Sequence, residues 1–103
     1  MSVAVEYNGG TVILTPGGDL DTLSSGELGK AIAAIERADA IRLDLSRVEY
    51  TSSAGVRQFL AGHRRAKQLG ASFCLVNVSD QVLSILKITG LDTKIDIAGA
   101  ENA

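Results

Sequence analysis

The sequence predicts an α/β fold in a single domain. A mixed, mostly parallel sheet of about four to five strands opens with an antiparallel hairpin and is covered by about three to four helices. Three observations predict it. Apolar strand-like runs flank Asn8-Gly9-Gly10, a turn signal whose residues tolerate positive φ. Beyond Pro16, strand-type runs alternate with helix-type periodicity, which requires crossover connections and parallel neighbours. The length, 103 residues with 46% hydrophobic and 21% charged, supports one core and one domain, 1–103.

Val3, Val5 and Tyr7 alternate with small or polar neighbours and predict the first strand. Thr11 to Thr15 is the second. Its run Val12-Ile13-Leu14 predicts burial on both faces and a place inside the sheet. Pro16-Gly17-Gly18 ends it, because proline lacks the ladder donor. Ser24-Ser25-Gly26-Glu27 reads as a capping box, Glu27 reaching back to Ser24. The helix behind it lines up Leu28, Ala31, Ile32 and Ile35 and is expected to stop near Asp39.

Ile41, Leu43 and Leu45 alternate as a third strand. A second helix is expected from Ser53, with Val56, Phe59, Leu60, His63 and Ala66 on one stripe and Arg57, Arg64, Arg65 and Gln68 on the solvated side. Gly70 closes it. Ser72 to Asn77 is the fourth strand, and Ser79 or Asp80 caps a short third helix that ends at Thr89-Gly90. Lys94 to Ile97 adds a short last strand, and 98–103 is expected to be a frayed tail.

Composition excludes several function classes. A net charge of −2 gives no general attraction to nucleic acid or anionic membrane. Without tryptophan there is little material for base stacking. No apolar run reaches membrane-spanning length, and the amino terminus lacks a basic start and an apolar signal core, so the expected location is the cytoplasm. The single cysteine, Cys74, sits in an apolar run and reads as a small buried hydrophobe.

Enzyme chemistry finds few resources. A serine nucleophile needs a base. The only histidine is His63, ten residues after Ser53 on one helix, hence about 15 Å away at a rise near 1.5 Å per residue. Its place on the apolar stripe makes it a packing residue. Gly17-Gly18-Asp19-Leu20-Asp21 lacks the lysine of a P-loop and the spacing of a dinucleotide site. Asp19 and Asp21 read as a solvated turn, and Asp44 and Ser46 as residues that satisfy loop backbone. No cluster has metal-ligand spacing. The chain is expected to be no enzyme and to carry no cofactor or metal.

What remains is Thr51-Ser52-Ser53-Ala54-Gly55-Val56-Arg57, hydroxyls delivered by a strand to the start of a helix. They can act as helix caps. They can also accept a phosphate, which suits the positive end of the helix dipole. Position alone does not choose between the two.

Four segments resemble the STAS domain family. Gly18-Asp19-Leu20-Asp21 is similar to its G-E-L-D segment. Asp44-Leu45-Ser46-Arg47-Val48-Glu49-Tyr50 is similar to the strand and loop before its phosphorylation site. Thr51-Ser52-Ser53-Ala54-Gly55-Val56 is similar to its S-S-A-G-L segment, and Leu86-Lys87-Ile88-Thr89-Gly90-Leu91 to its late L-x-x-T-G-L segment. Their order and spacing cover nearly the whole chain, and the nearest group is the bacterial anti-sigma factor antagonists. The resemblance implies a binding protein that sequesters an anti-sigma factor, often a serine kinase with a histidine-kinase-like ATPase fold, and so frees a sigma factor. It implies phosphorylation by that kinase and reversal by a PP2C-type phosphatase. Aligned on Gly55, the phosphoacceptor is Ser53. The position before it, aspartate in many members, is Ser52 here, and Ser52 and Thr51 stand as alternative acceptors. Asp21, Ser52, Ser53, Ala54, Gly55 and Arg57 are the implied partner-facing residues. A STAS subunit or scaffold of a transport or signalling complex is the alternative function.

Overall fold

A computed structural model describes residues 3–98. In chain order it contains β1 (Val3–Asn8), β2 (Thr11–Pro16), α1 (Thr22–Ala33), β3 (Ala40–Asp44), α2 (Ser53–Leu69), β4 (Ser72–Val76), α3 (Asp80–Thr89), a 3₁₀ turn (Leu91–Thr93) and β5 (Asp96–Ile97). The five strands lie in the order β1-β2-β3-β4-β5. β1 and β2 are antiparallel, and every later pairing is parallel. Gly9 (φ 62°) takes the first central position of the two-residue hairpin turn, where a side chain would be strained. The 3₁₀ turn has no counterpart in the sequence reading.

Because strand order follows chain order, each crossover steps in the same direction. Right-handed connections of that kind deliver every helix to the same face of the sheet. Burial agrees. Val12, Ile41 and Phe73 form one buried row, and Leu14, Leu43 and Leu75 the next. They pack with Leu28 and Ile32 of α1, Phe59 and Ala66 of α2, and Val82 and Leu86 of α3.

The other face carries Glu6, Ile13, Arg42, Cys74 and Asp96 in a row across the strands. This corrects two expectations. Ile13 is only half-buried, so β2 is internal to the sheet without being covered on both sides. Cys74 is half-buried on that outer face and not enclosed in the core.

α1 ends at Ala33, well short of Asp39. Side chains and backbone from elsewhere take up the groups that follow. The Arg65 guanidinium donates to the Ile35 carbonyl (2.6 Å from Nη2), and the Asp39 N–H donates to the Gly10 carbonyl at 2.7 Å. Arg65 is therefore half-buried, not part of a solvated face. His63 packs as expected, edge-on to Phe73 with ring centroids 6.5 Å apart. The predicted frayed tail lies mostly outside the described residues, but Ala98 is tied in by its N–H to the Leu75 carbonyl at 2.9 Å. Among the described residues, no helix is long and apolar enough to cross a membrane.

Candidate functional site

The parallel strands all finish at one end of the sheet, and there the chain turns into each helix. Three caps start those helices: Asp21 for α1, Ser52 for α2 and Ser79 for α3. Each side chain accepts an N–H from the first turn, from Ser24 (2.9 Å), Gly55 (3.3 Å) and Val82 (3.2 Å) respectively. The α1 box is thus Asp21 with Ser24, not the predicted Ser24 with Glu27. The Ser24 hydroxyl returns the favour by accepting the Asp21 N–H at 2.9 Å.

The hydroxyl loop between β3 and α2 is held on both sides. The Asp19 Oδ1 accepts the N–H of Glu49 (2.8 Å) and of Tyr50 (3.1 Å). Leu20 then bridges to Thr51 as a parallel pair: its N–H donates to the Tyr50 carbonyl at 3.1 Å, and its carbonyl accepts the Ser52 N–H at 2.7 Å. From the other flank, the Ser79 hydroxyl donates to the Glu49 carbonyl at 3.2 Å. Leu20, Val48 and Thr51 are buried beneath. The loop from Glu49 to Ser52 is a rigid shelf built by its neighbours.

Three hydroxyls in succession have three environments. Thr51 is 2% exposed, and its hydroxyl donates to the Ser52 carbonyl at 3.0 Å. Ser52 is half-buried and committed to the cap. Ser53, the first residue of α2, is exposed. Ala54 is half-buried, Gly55 buried and Arg57 exposed on the following turn. Gly55 has a steric reason: a Cβ there would run into the Thr51 hydroxyl and come within 2.8 Å of the Leu20 Cβ. Asp21, also exposed, shares the Leu20–Thr51 junction with the serine loop.

The hydrogen bonds tune two carboxylates. The Ser24 backbone N–H, helped by its hydroxyl, holds the Asp21 carboxyl below the usual aspartate range. At Asp44, burial pushes upward, but hydrogen bonds from Asn77 and Ser46 outweigh it and the net shift is downward. Asp44 thereby serves loop backbone, as its sequence position implied.

Sequence reasoning missed three residues here. Asp19 is an anchor and not an idle turn residue, which an acceptor-bearing residue beside a buried Leu20 could have signalled. Leu23 and Tyr50, 79% and 57% exposed, stand on the two segments that meet at the Leu20–Thr51 bridge. The single histidine does not reach the serines. His63 lies nearly three turns along α2 from Ser53, about 15 Å at the helical rise. Among the described residues no His, Cys, Asp or Glu group could hold a metal ion. A shallow depression of about 590 Å³, lined by Tyr7, Gly10, Arg37 and Asp39, lies at the hairpin end of the sheet, away from this site.

Comparison with known proteins gives a consistent result. The STAS domain family profile matches residues 2–102. The chain is 29% identical over 99 residues to an anti-sigma-B factor antagonist of Bacillus subtilis, covering 95% of this chain and 91% of the relative. An anti-sigma-factor antagonist (STAS) domain protein from Planctomyces limnophilus superposes with a TM-score of 0.82 at 20% identity, over 96% of this chain and 91% of that one. A sulfate transporter family protein from Wolinella succinogenes superposes at 0.79 with 17% identity, over 93% and 83%. At these identities the structural likenesses speak for the fold alone.

Proposed function

The chain belongs to the STAS domain family, and we propose that it is an anti-sigma factor antagonist, a binding module whose grip on an anti-sigma factor is switched by phosphorylation of Ser53. The observation that carries this reading is the division of labour among the hydroxyls. Thr51 is buried and Ser52 caps the helix, which leaves Ser53 exposed at the first position of α2. The name of the Bacillus subtilis relative, matched over nearly its full length, supports the role.

The physics of the switch is local. Phosphorylation adds about −1.5 to −2 charge at neutral pH. The N-terminus of α2 tolerates that charge, so the fold is spared. A partner surface fitted to a neutral hydroxyl does not tolerate it, and Asp21 and Glu49 already supply negative charge nearby. A loss of about 3 kcal/mol weakens binding more than a hundredfold. The partner is an anti-sigma factor that doubles as a serine kinase, with a PP2C-type phosphatase resetting the switch. Leu23 and Tyr50 join Asp21, Ser52, Ser53, Ala54, Gly55 and Arg57 on the contact face. The protein works in the cytoplasm, without catalysis of its own.

Partner purification from the source cell, followed by incubation with the recovered kinase and ATP and mapping by mass spectrometry, tests this. Label is expected on Ser53, and Ser53→Ala is expected to lose label while retaining the partner. Label on Ser52 or Thr51 would move the site but keep the mechanism. Undiminished binding of stoichiometrically phosphorylated protein would defeat the switch. Recovery of a transporter instead of an anti-sigma factor would favour the role of a transport subunit, for which the likeness to the Wolinella succinogenes protein gives a precedent of fold.

A further inference from the structure

The two edges of the sheet are unequal. β5 is a two-residue strand, whereas β1 spans Val3–Asn8 without a bulge, proline or lysine, and no described strand lies beyond it. Natural proteins normally blunt such an edge, because its outward N–H and C=O groups template further pairing. β1 is also apolar where it is exposed. Val5 is 43% and Tyr7 63% exposed, although both sit on the helix-bearing side of the sheet, opposite the buried Leu14 and Val12. The helix layer does not reach far enough to cover them.

The backbone phase of β1 is readable. Asn8 and Thr11 close a two-residue turn, so they form a hydrogen-bonded pair. Alternation makes Glu6–Ile13 and Ala4–Thr15 hydrogen-bonded pairs as well. The N–H and C=O groups of Val3, Val5 and Tyr7 therefore point away from β2, and they belong to the residues whose side chains are apolar.

From this geometry we propose that β1 pairs antiparallel with β1 of a second copy, about a two-fold axis through Val5, and so joins two sheets into one. That register sets Val5 opposite Val5, Val3 opposite Tyr7 and Ala4 opposite Glu6. Every outward-pointing residue meets another outward-pointing residue, and each such pair exchanges both backbone hydrogen bonds. No like charges stand directly opposite each other; the two Glu6 side chains are diagonal neighbours on the other face, about 7–8 Å apart. On the helix-bearing side, Val3, Val5 and Tyr7 of both copies form one apolar strip that shields the exposed side chains from water. Neighbouring registers fail. Centring on Glu6 opposes two glutamates and faces groups already turned toward β2. Centring on Tyr7 runs Val5 onto Gly9 in the turn. Such a self-complementary contact closes as a dimer. It lies at the sheet edge formed by β1, apart from the serine loop, and does not depend on the function proposed above.

Sedimentation or light scattering of the unmodified chain tests it from about 10 µM to about 1 mM, the range of a small transient interface. A monomer–dimer equilibrium is expected. Val5→Pro removes an N–H that serves no intrachain ladder bond, so the hairpin should survive while dimerisation weakens at least tenfold. Val5→Lys and Val5→Glu each place like charges on the two-fold axis and should be monomeric alone, yet associate when mixed. Hydrogen exchange on the unmodified chain supplies a readout free of mutation: the Val5 and Tyr7 amides should gain protection as concentration rises. A chain that stays monomeric throughout, or a dimer indifferent to Val5→Lys and Val5→Pro, overturns the proposal.

Discussion

Asp19 holds Tyr50: its Oδ1 accepts the Tyr50 N–H at 3.1 Å while also taking that of Glu49 at 2.8 Å. One exposed carboxylate thus fixes the approach to the serine loop from a different connection of the chain. Asp19→Ala removes an ionised acceptor from two backbone donors. Since the site is exposed and water replaces part of the loss, the expected destabilisation is about 1–2 kcal/mol. Urea unfolding reads the energy. Faster amide exchange confined to Glu49, Tyr50 and Ser52 reads the location, and exchange unchanged there would contradict the anchoring role.

Glycines separate packing from propensity. Gly55→Ala drives a methyl against the Leu20 Cβ, 2.8 Å from its ideal position, and against the Thr51 hydroxyl. The Leu20 Cβ cannot swing away, because the Leu20–Thr51 bridge fixes the backbone that carries it. A cost of about 1–3 kcal/mol is expected. Gly26, exposed within α1, has nothing within 4 Å of its ideal Cβ. Gly26→Ala should stabilise by about 0.5–1 kcal/mol. Thermal midpoints moving in opposite directions are the expected result.

The order of elements was legible in the sequence because hydrophobic period and turn residues are local signals. The failures came from distant partners. Ser24 with Glu27 and Asp21 with Ser24 both fit a capping box. The second wins because Leu20 is pinned to Thr51, so the chain enters the helix directly after it. The end of α1 could not be read because Arg65 and Gly10 satisfy the backbone beyond it. Cys74 and Ile13 looked enclosed because an apolar run does not reveal that all helices lie on one side. Within the serine loop, adjacency made Thr51, Ser52 and Ser53 look interchangeable, whereas burial and capping make them distinct.

Acid should act through Asp21. Hydrogen bonds from Ser24 lower its carboxyl in the folded state, so the unfolded chain binds the proton more readily. Stability linked to this group is present above the unfolded aspartate range and is lost as pH falls through the lower folded value. Asp44, lowered as well, adds to the same acid limb. Asp21→Asn keeps a capping oxygen but abolishes the titration. Its unfolding free energy should therefore fall less steeply below about pH 4 than that of the unmodified chain. Parallel acid limbs would show that the Asp21 hydrogen bonds do not bias its ionisation.

The serine loop should tolerate charge where the core tolerates no loss of volume. Ser53 is exposed at the first position of α2, so Ser53→Asp adds an acid where the helix dipole favours it, and stability should change by no more than about 1 kcal/mol. Ser52→Ala removes the acceptor of the Gly55 N–H and should cost about 1 kcal/mol, while Ser53→Ala, which touches no cap, should stay within about 0.5 kcal/mol. Phe59, fully buried on the inner side of the same helix, sets the other limit, with about 3–5 kcal/mol expected for Phe59→Ala. Partner affinity should rank differently from stability. Ser53→Asp should weaken binding, though less than phosphate does, since it carries a single charge and a smaller shape. Ser53→Ala should bind as the unmodified chain does. Urea unfolding and titration calorimetry on the same four variants separate the two rankings. A Ser53→Asp protein that unfolds as readily as Phe59→Ala would mean that this position belongs to the core and cannot be a switch.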